Sequence, residues 1–95
     1  MSAQAERAQL TRPEDVRGSN DRIAERAAQL RFVSRVPMLC ECSDPGCETI
    51  VLIDLDRYQE LRERGYLTAP EHPVEDAAPI AREDGYWLHQ QARRS

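Results

Sequence analysis

Residues 39–47 read Leu-Cys-Glu-Cys-Ser-Asp-Pro-Gly-Cys and contain all three cysteines of this 95-residue chain. In an extended segment the side chains at i and i+2 point to the same side, so Cys40 and Cys42 can aim at one point. The Ser-Asp-Pro-Gly sequence is typical of a tight turn, which would fold Cys47 back beside them, with Gly46 able to supply a positive φ. Three thiolates in a zinc-knuckle-like strand–turn–strand unit suit tetrahedral zinc. The stretch therefore predicts a structural zinc site with the pattern Cys-x-Cys-x4-Cys.

His72 is the natural fourth ligand, because it stands in a stiff Pro-Glu-His-Pro loop that can bring the chain back to the cysteines. His89 is the rival, and Asp44 or a water molecule are lesser alternatives. Three thiolates and one neutral imidazole leave a zinc site with a net charge of about −1. Backbone N–H groups of the turn are therefore expected to donate to the sulfurs.

The cysteines also allow two other interpretations. They can be small buried hydrophobic residues, although a turn rich in Asp, Pro and Gly belongs at a surface. They can also form a thiol redox switch, in which one disulfide forms and one thiol is left over. No arginine stands next to the cysteines in the sequence to lower a thiol pKa, so the metal site is the preferred interpretation.

Composition limits the fold and the partners. The chain has the length of one domain, and a domain this small often needs a metal to supplement its thin core. Its formal net charge is −4, with 13 basic residues, all of them Arg, and 17 acidic ones. An acidic chain is not drawn to nucleic acid or anionic membranes by bulk charge. The N-terminus lacks a signal-peptide layout and no apolar run could span a bilayer, which predicts a cytoplasmic protein.

The hydrophobic pattern predicts an α+β fold, with two helices packed on a small, mostly antiparallel sheet. Residues 1–18 are predicted as a flexible tail, 19–90 as one zinc-stabilised domain and 91–95 as a second tail. The expected elements are a helix over 21–30 capped by Ser19 or Asn20, strands over 36–42 and 47–53, a helix over 55–64, a short extended piece over 66–69 and a hairpin over 79–90. The run Ile50–Ile53 is expected to be the central, most buried strand, and Gly65 to end the second helix in a left-handed conformation.

These motifs, taken in order, resemble a group of small bacterial proteins that has no established activity. The shared features are a helix opening Asn-(Asp/Glu)-Arg-Ile, the Cys-Glu-Cys-x-Asp-Pro-x-Cys motif, an apolar strand followed by a Tyr-containing helix, a Pro-x-His loop and an Arg-Glu-Asp-Gly-Tyr hairpin. In this chain they lie between about residues 20 and 90. The resemblance implies that Cys40, Cys42, Cys47 and His72 form one zinc-binding site. The extension before residue 19 departs from the shared pattern.

The sequence contains no glycine-rich phosphate loop, no His-Glu-x-x-His and no zinc-deaminase motif. We therefore expect that the protein is not an enzyme but a small zinc-binding adaptor or regulatory module that binds another protein. Its expected contact surfaces are Tyr86 and Trp87 of the hairpin and the free face of the first helix. The alternatives are a zinc module that binds nucleic acid to regulate transcription or translation, and the redox switch. A homodimer formed through an edge strand or the first helix is also open.

Overall fold

The computed structural model describes the backbone of residues 2–90 and the side chains of residues 12–90. It has an α+β fold, as predicted, with two helices and two small antiparallel sheets in place of one. The order of elements is α1 Ser2–Gln29, β1 Val36–Leu39, β2 Ile50–Ile53, α2 Leu55–Leu61, β3 Gly65–Thr68, β4 Pro79–Glu83 and β5 Tyr86–Gln90. The first sheet is β1–β2, and the second has the order β3-β5-β4.

Helix α1 is much longer than the sequence predicts. It begins at Ser2 and continues through Pro13, Gly18 and the expected caps Ser19 and Asn20 to Gln29. Residues 2–18 are therefore helical where a flexible tail was predicted, whereas the predicted tail 91–95 lies outside the described residues. A tertiary reason can be given for the second half of this segment: Arg12 and Arg17 donate to backbone carbonyl groups elsewhere in the fold, which local propensity does not reveal.

Asn20 joins α1 to β1, although it was predicted as a cap. Its side-chain oxygen accepts from Leu39 N at 2.7 Å, and its amide nitrogen donates to Leu39 O at 2.9 Å. The amide thus occupies the place of a neighbouring strand along the free edge of β1. Asp21 joins α1 to α2 by accepting from Arg62 and from the Tyr58 hydroxyl. These contacts fix the helix on the domain.

The first sheet has one buried and one exposed face. Val36 and Met38 of β1 and Val51 and Ile53 of β2 are buried in the core, as period-two alternation requires. The prediction that Ile50–Ile53 is the central, most buried strand is wrong. Among the described residues β2 pairs only with β1, and Ile50 and Leu52 are about half exposed.

Helix α2 buries the predicted stripe of Leu55, Tyr58 and Leu61. It is followed by β3, which begins at Gly65, so the predicted left-handed helix end at Gly65 is wrong. Glycine is required there for another reason: a Cβ at this position would lie 2.0 Å from His89 O on the adjacent strand β5. The close approach of two strands, and not a turn, selects this glycine.

The C-terminal hairpin is confirmed as predicted. Strands β4 and β5 pair antiparallel around a turn at Asp84–Gly85, and Gly85 has φ +97°. Leu88 is fully buried, while Tyr86 and Trp87 are both half-buried. None of the described helices is long and apolar enough to cross a membrane.

Candidate metal centre

Cys40, Cys42, Cys47 and His72 lie together and could hold one metal ion. Each offers one ligand atom, and the four atoms all lie within 4.8 Å of one another. The Nδ1 atom of His72 is 3.5 Å from the Sγ atoms of Cys40 and Cys47. All three thiols are free, and Cys40 and Cys42 are buried. The structure thus brings together all four residues that the sequence predicts.

The turn that returns Cys47 to the site is closed by Asp44. The carbonyl oxygen of Asp44 accepts from Cys47 N at 3.1 Å, and its carboxylate accepts from Gly46 N at 2.9 Å. Gly46 does not adopt the positive φ that the sequence suggested. Asp44 therefore shapes the turn, and its carboxylate is engaged there; it is not in the four-residue group.

His72 reaches the cysteines from the loop that follows β3. The backbone N–H of His72 donates to Ala69 O at 3.2 Å. The same loop is joined to the cysteine turn by a hydrogen bond from Ser43 N to Pro73 O at 3.1 Å. The rival His89 lies on β5 with Nε2 3.1 Å from Thr68 Oγ1. Because the Thr68 hydroxyl donates to Ala69 O, it accepts from His89 Nε2–H. The Nε2 atom of His89 is therefore engaged by Thr68, and His89 is not in the four-residue group.

Backbone N–H groups donate to the sulfurs, as expected for a metal-thiolate site. Ala69 N donates to Cys40 Sγ at 3.2 Å. Burial raises the pKa of Cys40 to about 12 even though N–H groups of Ala69 and Cys42 oppose that rise. Burial likewise raises the pKa of Cys42 against a hydrogen bond from the backbone of Asp44.

Cys47 differs from the two buried thiols. Burial disfavours its thiolate, but hydrogen bonds from the backbone and side chain of Thr49, from Cys42 and from His72 outweigh this effect and lower its pKa to about 6. The site thus contains one readily ionised thiol and two that need a nearby positive charge to lose their protons. A bound divalent cation supplies such a charge, and its binding releases those protons.

Arg12 supplies a fixed positive charge beside the cysteines. Its guanidinium donates to the carbonyl oxygens of Cys40 at 3.2 Å and of Cys47 at 3.0 Å, and also to that of Cys42. Its Nη1 atom is 3.9 Å from Cys42 Sγ. The sequence places no arginine next to the motif, but α1 brings one from 28 residues away. One cation here offsets the net charge of about −1 expected for a Cys3His zinc site.

Glu41 is buried between the first two cysteines and ties the site to its surroundings. Its carboxylate accepts from Leu67 N at 2.9 Å and from the Asn20 amide at 2.7 Å, while Glu41 N donates to Leu67 O at 2.8 Å. Burial raises the pKa of Glu41 to about 7 despite these donors. Strand β3 and helix α1 are thereby joined to the cysteine segment.

Sequence reasoning identified the four candidate ligands but missed the residues around them, namely Arg12, Asn20 and Glu41. Asn20 had been assigned only a capping role and Arg12 a place in the tail. The one usable signal was the charged residue between Cys40 and Cys42, since a carboxylate flanked by buried positions needs donors.

No family model, curated protein or solved structure matches this chain. The likeness to small bacterial proteins noted above therefore stays a prediction. The inferences that follow rest on the geometry of the chain itself.

Proposed function

We propose that this protein is a small zinc-binding module in which the metal has a structural role and which acts by binding another protein. The observation that carries the proposal is the Cys3His group, whose ligand atoms lie within 4.8 Å of one another. Thiolates and imidazole are preferred by zinc, and four protein ligands would complete a tetrahedron. A site filled in this way has no position for a substrate, which supports a structural role over a catalytic one.

The position of the site in the fold supports the same role. The cysteine segment is bonded to α1 through Arg12, to β3 through Glu41 and to the His72 loop through Ser43. One metal ion would therefore fix the relative positions of three parts of a thin core. Structural zinc contributes to folding free energy in this way.

Binding to a protein is supported by the surface. Six large hydrophobic side chains are exposed among the described residues, and five of them come from the connection after α1 and from β2, namely Leu30, Phe32, Val33, Ile50 and Leu52. Apolar side chains grouped on the surface of a small protein are typical of an interaction site. The hairpin aromatics that the sequence suggested as a contact surface are half-buried and contact arginines of the same chain: Tyr86 accepts from Arg57 Nε, and the Arg82 guanidinium lies over the Trp87 ring.

The first test is the zinc content of protein purified without added metal, by elemental analysis. We expect one zinc per chain in the wild type and in His89→Gln, and a large loss in Cys47→Ser and His72→Ala. His89→Gln is the matched control because it removes the other histidine. Zinc retained in full by Cys47→Ser would overturn the metal proposal.

A thiol redox switch is the second candidate function. The low pKa and partial exposure of Cys47, with Cys42 as a neighbouring thiol, favour it. The redox switch predicts metal-free protein in which mild oxidation removes two of three titratable thiols.

A nucleic-acid role, the other alternative from sequence, predicts binding to single-stranded or duplex oligonucleotides that is lost as the salt concentration rises.

A further inference from the structure

An apolar groove runs between α1 and β1, and none of the four candidate metal ligands lines it. It has a volume of about 570 Å³. The apolar side chains that line it are Ile23, Ala27, Leu30, Phe32, Val36 and Pro37. We call this feature the apolar groove. Of these lining residues, Leu30 is 64% exposed to solvent and Phe32 is 54% exposed. The isolated chain therefore leaves much of the groove in water.

The end of α1 holds Phe32 in place at the groove. Phe32 N donates to Ala27 O at 2.8 Å and Arg31 N donates to Ala28 O at 3.1 Å, which is the Schellman pattern of hydrogen bonds. Arg31 adopts the left-handed conformation with φ 59°, although it is not glycine. These hydrogen bonds hold the backbone of Phe32 against the end of α1, which places its exposed side chain at the groove.

The apolar surface continues from the groove onto the exposed face of the first sheet. Pro37, which lines the groove, pairs with Leu52 of β2. Ile50 precedes Leu52 by two residues in β2 and therefore lies on the same face of the sheet. Both side chains are about half exposed. A partner seated in the groove can extend its contacts over this face.

The charge around the groove is opposite to that of the whole chain. Arg22 and Arg26 of α1 line it, and its described lining residues include no carboxylate. Arg22 donates to Ser19 Oγ at 3.3 Å, and no described residue forms an ion pair with Arg26. Two acidic residues of the same helix, Asp21 and Glu25, line a different depression, between α1 and α2. A cationic rim on a protein of net charge −4 favours an acidic partner.

We propose that the apolar groove binds an amphipathic helix whose polar flank carries Asp or Glu, contributed by another protein. The inference rests on the proposed function, because it names the kind of partner. Residues 19, 22/23 and 26/27 of α1, with Leu30 directly after its end, follow the i, i+3/i+4 spacing along the groove, which gives a wall about 16 Å long. A helix of about three turns lies against such a wall, with ridges packed into grooves. A symmetric second copy is a poorer occupant, since it would bring two sets of Arg22 and Arg26 together.

The test is selection of displayed random peptides of about 16 residues, or about 24 Å of helix, on zinc-loaded wild-type protein. We expect the enriched peptides to carry apolar residues at i, i+3, i+4 and i+7 together with Asp or Glu. Their dissociation constants, from fluorescence anisotropy, should rise at least ~10-fold in Phe32→Ser and in the double variant Arg22→Glu/Arg26→Glu. The matched controls are Ile80→Ser, which removes an exposed apolar side chain outside the groove, and Arg64→Glu. Each should change the dissociation constants less than ~2-fold.

Several results would overturn the proposal. One is the absence of any enriched peptide, and another is enrichment of basic peptides or of peptides with period-two alternation, which add to a strand edge. The third is a wild-type dimer in sedimentation that Phe32→Ser makes monomeric, because the occupant is then a second copy. Zinc content is measured on the wild type and on every variant, so that wild-type protein without zinc, which would refute the proposed function, is distinguished from a failure of the groove. Peptides that bind equally well to both groove variants would refute the groove and leave the protein-binding function standing.

Discussion

Replacing Arg12 with Gln should weaken zinc binding, because it removes the cation beside the cysteine thiolates. The guanidinium is 3.9 Å from Cys42 Sγ. At this distance two unit charges interact by about 1 kcal/mol in water and by about 4 kcal/mol at an effective dielectric constant of about 20. Since Arg12 is half-buried, we take about 2 kcal/mol, which corresponds to an affinity about 30-fold lower.

The same substitution should lower the free energy of unfolding of the zinc-loaded protein. Arg12 donates to three carbonyl oxygens of the cysteine segment. A hydrogen bond to a charged group contributes about 1.5–3 kcal/mol, and water can replace part of this at a half-buried site. We therefore expect a total loss of about 2–3 kcal/mol. Arg12→Lys keeps the charge but not the planar fork, and should fall between the wild type and Arg12→Gln.

Zinc affinity is measured by competition with a chromophoric chelator, and unfolding by urea with the zinc concentration held constant. Arg22→Gln is the control, because it makes the same chemical change on the same helix outside the metal site. If Arg12→Gln bound zinc within about twofold of the wild type, the guanidinium would not be coupled to the metal and the electrostatic argument would fail.

Three further predictions concern the fold. Asn20→Ala should lower the free energy of unfolding by about 3 kcal/mol, because three hydrogen bonds of a fully buried amide are lost. Urea unfolding measures this loss against Ser34→Ala, a control at an exposed site, and a loss under ~1 kcal/mol would contradict the prediction. Gly65→Ala should lower the free energy of unfolding by about 3 kcal/mol, because the added Cβ clashes with the adjacent strand. Gly18→Ala should raise it by about 0.5–1 kcal/mol, because the new Cβ lies in open space on a helix. Equal effects of the two substitutions in thermal unfolding would refute this difference between the two glycines. Burial lowers the pKa of His89, so its imidazole takes up a proton less readily in the folded state than in the unfolded state. The free energy of unfolding should therefore decline as the pH falls from about 6.5. His89→Gln should show a shallower decline than the wild type between about pH 7.5 and about pH 5.5, with zinc release common to both proteins, and parallel declines would exclude this histidine as a cause.

Local sequence determined the elements whose signals are short-range. Alternation fixed the buried face of β1, the Asp84–Gly85 pair fixed the hairpin turn, and helical spacing fixed the buried stripe of α2. The three cysteines were identifiable as one cluster because a strand and a tight turn bring them together within eight positions. These features depend on the periods of helix and strand and on turn chemistry, which a sequence displays directly.

Other features were decided only by the tertiary structure. The sequence left His72 and His89 as rivals, and the difference between them is a contact of His89 with Thr68 on a neighbouring strand. It also gave no sign that Arg12 belongs to the metal centre, or that β2 stands in a two-stranded sheet with an exposed face. Each of these depends on groups distant in the sequence that meet only when the sheets and α1 are assembled. The buried amide of Asn20, the guanidinium of Arg12 among carbonyl groups and the pairing of β2 with β1 alone within residues 2–90 all reflect long-range contacts. No local period encodes such contacts.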